Sequence, residues 1–150
     1  MERITSFSVD HNKLEPGIYI SRIDGDITTY DLRFIKPNTP PFLDIDAMHT
    51  IEHLFATYAR NGSLKDNVIY FGPMGCRTGF YLLMRNTKNE DALEYIKNVI
   101  KECMNHQGEI PGSKKIECGN YLAHNAKLAH NSLEEFYNRI KELGVNDLFY

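Results

Sequence analysis

Three prolines within five positions, Pro37, Pro40 and Pro41, constrain this chain more than any other local feature. Each fixes φ and removes a backbone donor, so neither a central strand nor a helix interior runs through Lys36–Pro41. What lies before must end near Ile35, and what lies after must begin afresh. Before it, residues 17–23 and 28–35 have the β-branched and aromatic content of strands, with Asp24-Gly25-Asp26 as the turn. After it, apolar residues recur at helical spacing through Met48, Ile51, Phe55 and Tyr58. This predicts a helix from an N-cap at about Asp46 to Arg60, stopped by Asn61-Gly62.

The same reading continues downstream. Residues 67–72 and 79–85 form a second strand pair around Pro73-Met74-Gly75-Cys76-Arg77-Thr78. A helix over about 90–105 buries Leu93, Ile96, Val99, Ile100 and Cys103. From Asn125 to Leu143 the stripe Ala126, Ala129, Leu133, Phe136, Ile140 and Leu143 is unbroken. Ser132-x-x-Glu135 has the form of a capping box, but the stripe favours one long helix ended by Gly144. Strand pairs interleaved with helices predict an α+β fold: a single domain over 1–150, with a mostly antiparallel sheet and helices packed on it.

A chain of 150 residues fits one core, and 42% apolar with 25% charged residues is ordinary globular composition. The net charge of -3 and the absence of a basic run argue against a nucleic-acid partner. No apolar stretch approaches the roughly 18–20 residues that span a bilayer. Met1-Glu2-Arg3-Ile4-Thr5 lacks the apolar core of a signal peptide, so a cytoplasmic location is expected. Three cysteines, Cys76, Cys103 and Cys118, argue against a disulfide framework and bring metal or catalytic roles forward. Cys103 lies in a helical stripe and reads as a buried thiol.

His49-Thr50-Ile51-Glu52-His53 is the strongest local motif. On a helix His49 and His53 project from one face, which suits two imidazoles on one metal, with Glu52 on the flank to handle a proton. The order is that of inverted zinc hydrolases. It specifies only three positions, and two histidines on a solvated face would satisfy it equally. Cys118, followed by Gly119, could complete a two-nitrogen, one-thiolate site, the glycine permitting close backbone approach. Three protein ligands leave an open position, as catalytic centres do; spacing alone equally allows a buried free thiol. Cys76 sits at a turn between Gly75 and Gly79, where packing does not demand a thiol. Arg77 beside it could favour the thiolate of a nucleophile or proton carrier.

Five ordered blocks carry a more specific resemblance: Ser6-Phe7 with Asp10-His11-Asn12, Asp31-Leu32-Arg33-Phe34, His49 to Leu54, Pro73 to Gly79, and Glu117-Cys118-Gly119-Asn120-Tyr121. In order and spacing the chain resembles the S-ribosylhomocysteine lyases, the LuxS family of autoinducer-2 synthases, over essentially its whole length. The resemblance implies His49, His53 and Cys118 as metal ligands, with iron(II) the usual metal and zinc or cobalt as substitutes. It implies Glu52 and Cys76 as the general acid/base pair, and Ser6, His11 and Arg33 as pocket residues. It further implies a homodimer whose two active sites lie at the interface, and a fold related to the inverted zinc peptidases. The expected substrate is S-ribosylhomocysteine, cleaved to homocysteine and the autoinducer-2 precursor, with no organic cofactor. The chain departs from the family at Tyr70-Phe71-Gly72, where many members carry an acidic residue three positions before the Pro-Met-Gly-Cys turn. It departs again at Ile35-Lys36, where Cys-Gln is more usual.

Two rivals remain at this level. A metallopeptidase would take a carboxylate as third ligand and has no use for Cys76. A zinc-stabilised binding module would need a fourth protein ligand; His124 and His130 are near Cys118 in sequence, but their polar helix face predicts solvated roles.

Overall fold

The proline segment does separate a hairpin from a helix. In the computed structural model, which describes residues 1–150, β1 (Gly17–Asp24) and β2 (Ile27–Arg33) pair antiparallel. Gly25, at φ +62, takes the left-handed conformation that so tight a turn needs. β2 ends two residues earlier than its composition suggests. The Phe34 and Ile35 amides both bond the Thr78 carbonyl, which pulls the chain out of the ladder.

β3 (Val68–Pro73) and β4 (Gly79–Arg85) form the second hairpin. β4 pairs with β2, giving the antiparallel order β1-β2-β4-β3. Side chains alternate across the pleat. Ile18, Tyr30, Leu32, Phe80 and Leu82 enter the core, while Asp31 and Arg33 turn to the opposite face.

Three helices cover the core face: α1 (Ile45–Ala59), α2 (Asn89–Met104) and α3 (Ala126–Ile140). Rings lock the layers together, Phe55 stacking on Phe71 at 4.0 Å and Phe34 on Phe136 at 3.9 Å. The fold is thus the expected α+β arrangement. No helix is long and apolar enough to cross a membrane.

Three local expectations need correction. The N-cap of α1 is Asp44, whose carboxylate accepts from the Ala47 amide at 2.9 Å; Asp46 lies inside the first turn. Its charge there faces the positive end of the helix dipole. The final helix is single, with Ser132 in its interior, but it stops at Ile140. The Leu143 amide turns back to the Ile140 carbonyl, and Gly144 opens a short 3-10 helix instead of ending α3 directly. Ala126 is exposed, so the buried stripe is Ala129, Leu133, Phe136 and Ile140.

Asn105 to Asn125 contains neither helix nor strand. So long an irregular segment in a compact domain usually has a function. This one passes over α1.

Candidate metal centre and adjoining cavity

α1 presents His49, Thr50 and His53 toward the Asn105–Asn125 segment. His49 Nδ1 donates to the Ala123 carbonyl at 2.7 Å, and His53 Nδ1 donates to the Pro111 carbonyl at 2.8 Å. A carbonyl only accepts, so both protons sit on Nδ1 and both Nε2 lone pairs are free. They point at one sulfur: Cys118 Sγ lies 3.4 Å from His49 Nε2 and 4.0 Å from His53 Nε2. Zinc bonds of about 2.0–2.1 Å to nitrogen and 2.3 Å to sulfur put the two donor atoms about 3.5 Å apart in a tetrahedron. The observed separations bracket that value. A thiol proton on Cys118 satisfies only one of the two Nε2 lone pairs, whereas a cation between them engages both nitrogens and the sulfur, so the donor set fits a borderline divalent metal.

The surrounding backbone explains the placement. Gly112 has φ +68, and a Cβ there would come within 3.3 Å of His53 Nδ1. The Pro111-Gly112 turn therefore lets a carbonyl approach the imidazole. Cys118 is set by a tight turn in which the Glu117 and Cys118 amides share the Lys114 carbonyl. Gly119, expected to permit close approach, has open space around it. Gly112 holds that role because it is the residue whose backbone abuts a ligand ring.

A third imidazole joins the cluster. His124 Nε2 is 3.9 Å from Cys118 Sγ, and its ring stacks on His49 at 4.0 Å. Its Nδ1 lies 2.9 Å from Thr50 Oγ1, which also accepts from the Asn125 amide at 3.0 Å. Ligand atoms of His49, His53, Cys118 and His124 all lie within 4.8 Å of one another. Burial, followed by the charges of His49 and His53, lowers the His124 pKa below the ordinary imidazole value, favouring a neutral ring. The expected solvated role fails for His124, because Thr50 and Asn125 pin it over α1. For His130 it holds: the residue is exposed, with Nδ1 donating to the Met104 carbonyl and Nε2 3.3 Å from the Glu134 carboxylate.

Beside the cluster is a cavity of about 350 Å³ bordered by Met48, His49 and Glu52 of α1 and by Met74, Gly75 and Arg77 of the β3–β4 turn. Cys76 is exposed on that turn. The cation next to it is Arg33, with Nη1 4.0 Å from the sulfur, and not Arg77. Arg77 adopts φ +64 and sends its Nε–H to the Leu43 carbonyl at 2.8 Å, while its own carbonyl accepts from the Leu43 amide. These bonds offset the left-handed strain and tie the turn to the entry of α1.

Arg33 belongs to a buried cluster on the outer sheet face. Nε and Nη2 grip the two oxygens of Asp31 at 3.1 and 2.7 Å, and Nη1 donates to Thr78 Oγ1 at 2.8 Å. The Thr78 hydroxyl, having accepted from Arg33, has its proton free for Cys76 Sγ at 3.0 Å. Tyr150 donates to Asp31 at 2.6 Å and stacks on Tyr19. Burial alone would lower the Arg33 pKa; the Asp31 carboxylate more than offsets it and leaves it above the ordinary value. Gly79 is required here, since a Cβ would lie 2.4 Å from the Leu32 carbonyl oxygen.

Ser6 and His11 lie elsewhere. Ser6, in a short 3-10 helix, borders a separate cavity with Ser21, Arg22, Thr29 and Tyr81. His11 donates from Nδ1 to the Val9 carbonyl at 2.8 Å. Neither lines the cavity at Glu52. Cys103 is buried, as expected, and burial pushes its thiol pKa far up. Sequence reasoning missed Thr50, Pro111, Gly112, Ala123 and Thr78. Only the Pro-Gly dipeptide carried a local signal, that of a turn.

Comparison with known proteins agrees with this geometry. The family model described as S-Ribosylhomocysteinase (LuxS) matches residues 4–146. A protein of Finegoldia magna named S-ribosylhomocysteine lyase is 45% identical over 155 residues, covering 100% of this chain and 99% of that protein. Relatives of the same name from Borreliella afzelii and Clostridium acetobutylicum are 44% and 41% identical. They cover 95% and 100% of this chain, and 96% and 99% of their own lengths.

Proposed function

This chain belongs to the S-ribosylhomocysteinase family, and on that premise we propose that it is a metal-dependent carbon–sulfur lyase. It cleaves the thioether of S-ribosylhomocysteine to homocysteine and 4,5-dihydroxy-2,3-pentanedione, the precursor of autoinducer-2. One juxtaposition carries the reading: α1 bears Glu52 beside the two imidazoles His49 and His53 of the nitrogen–sulfur donor cluster, and the turn bearing Cys76 walls the same cavity.

The reaction explains why these groups belong together. The sulfur on C5 leaves readily only from a carbanion at C4, which needs a carbonyl at C3. The opened sugar carries its carbonyl at C1. Proton transfers must move it through C2 to C3 before elimination. His49, His53 and Cys118 hold the metal, iron(II) by our assignment with zinc or cobalt as substitutes, and it supplies Lewis acidity when bound. The Ala123 and Pro111 carbonyls hold the two imidazoles in the ligating tautomer.

Cys76 is the carbon base, its sulfur oriented by the Thr78 hydroxyl. Glu52 moves protons among the sugar oxygens and takes part in the elimination. Arg33 uses three of its five N–H groups on Asp31 and Thr78, leaving two for the substrate. Ser6 and His11 reach the substrate from the second subunit of a homodimer. The exposure of their apolar neighbours Ile4 and Phe7, at 55% and 66%, favours a partner over that segment. Arg33 and Cys76 are neighbours within one chain and so serve the same site together. Three unpaired cysteines suit a reducing, cytoplasmic location.

His124 is what a closed, purely structural metal site would have. Such a site leaves the Glu52 cavity and the Arg33–Thr78–Cys76 chain without a role, as does a peptidase. The test is free thiol released from S-ribosylhomocysteine by metal-loaded protein. Metal-loaded wild type that releases none overturns the lyase reading.

A further inference from the structure

We propose that Tyr150 is a positioning residue for the lyase: by donating its phenol to Asp31 it fixes the plane of the carboxylate that aims the free N–H groups of Arg33 at the substrate. The inference rests on the substrate-binding role given to Arg33 above and deepens it.

The route by which Tyr150 arrives is specific. Beyond α3, Leu148 is fully buried in the core, and its carbonyl accepts from the Ile20 amide of the edge strand β1 at 2.7 Å. Two residues later Tyr150 lies on the other face of the sheet, so the chain has passed round the β1 edge. There its ring stacks on Tyr19, at 4.9 Å and 13°, and Tyr19 is the β1 residue directly opposite Asp31. Half of Tyr150 is exposed, yet its hydroxyl ends on a carboxylate that is 0% exposed. Burial, and then the charge of Asp31, push the phenol pKa above its ordinary value, so the group stays a donor.

An aspartate χ2 is a soft torsion, and only Arg33 and Tyr150 donate to this carboxylate. Nε reaches Oδ1 at 3.1 Å, whereas Nη2 at 2.7 Å and the phenol at 2.6 Å both fall on Oδ2. The two-point pair is therefore held from outside at both ends: Thr78 takes Nη1 of the guanidinium, and Tyr150 takes Oδ2 of the carboxylate. Without the phenol the pair pivots on Thr78. A guanidinium is a rigid fork, so a change of plane misdirects both of its unused N–H bonds at once.

The test compares Tyr150→Phe, which keeps the stacked ring, with wild type as the intact metal-loaded protein. For S-ribosylhomocysteine, KM should rise about 3–10-fold, the worth of one ordinary hydrogen bond, with kcat within about twofold, the pattern of lost substrate binding. In an Arg33→Lys background the same change should add nothing, because a residue that acts through another is not additive with it. Independently of activity, nitrogen-15 NMR reads the Arg33 Nε–H signal, identified by its loss in Arg33→Lys. Its exchange with water should quicken ~10-fold or more in Tyr150→Phe, as a local opening becomes easier. An unchanged KM, an unchanged exchange rate, or a KM effect that persists undiminished in Arg33→Lys overturns the proposal, even if the melting temperature falls. Wild type that releases no thiol sinks the lyase reading, and the Arg33 signal then still decides whether Tyr150 holds the guanidinium.

Discussion

Replacing Asp31 by asparagine removes one charge from the outer sheet face and almost nothing else. Asp31 and Arg33 are 0% and 4% exposed at their side chains and share a two-point ion pair. Asparagine keeps the shape and one acceptor, but its amide group opposes the guanidinium in either orientation, at Nε–H in one and at Nη2–H together with the Tyr150 hydroxyl in the other. Breaking a buried pair from one side costs about 3–5 kcal/mol, mostly because the surviving charge stays desolvated. We expect the lower end, about 3 kcal/mol, a large part of the roughly 5–15 kcal/mol that a domain has in total. For this chain length that is roughly 6–12 °C in Tm. The assay is urea unfolding at fixed protein concentration, since an associating protein gains stability by mass action. The double replacement Asp31→Leu with Arg33→Met removes both charges and should be more stable than Asp31→Asn. A loss below about 1 kcal/mol in Asp31→Asn, or a double variant that loses more than the single one, would refute the buried-pair account.

Cys118→Ala should lose most bound metal, whereas Cys76→Ala and Glu52→Gln should keep it and lose about 10²–10⁴ in thiol release; metal analysis beside the thiol assay checks this. Thr78→Val removes the hydroxyl between Arg33 and Cys76 at nearly constant volume, and kcat should fall on the order of tenfold, equivalent to about 1.4 kcal/mol, with metal content unchanged. In the native metal-loaded protein, iodoacetamide should label Cys76 first and Cys103 only after unfolding, as mass spectrometry of the digested protein would record. Mixed Cys76→Ala and Arg33→Ala chains should not complement, because both residues come from one subunit, while Ser6→Ala with Cys118→Ala should recover activity in hybrid dimers. An active monomer by sedimentation would defeat the shared site.

Local sequence determined what local physics can specify. Proline at 37, 40 and 41 forced the break between hairpin and helix because the ring forbids both ladders. The 3.6-residue stripe of α1 buried Ile51 and Phe55 and so turned His49 and His53 together to the other side. Cys103 was readable as a core thiol for the same reason. The segments that resemble the family carried the rest of the candidate set, since their order and spacing are sequence properties.

Tertiary structure alone decided everything that depends on who meets whom across long loops. His124 looked solvated from its polar neighbours, yet Thr50, seventy-four positions earlier, pins it beside Cys118. Arg77 looked like the partner of Cys76 because it is adjacent, but a left-handed φ aims it at Leu43 and β2 supplies Arg33 instead. Pro111 and Ala123 act through carbonyls, which every residue possesses, so no side-chain pattern could single them out. Neighbours in sequence share a backbone direction; neighbours in a site share only the packing of the whole chain.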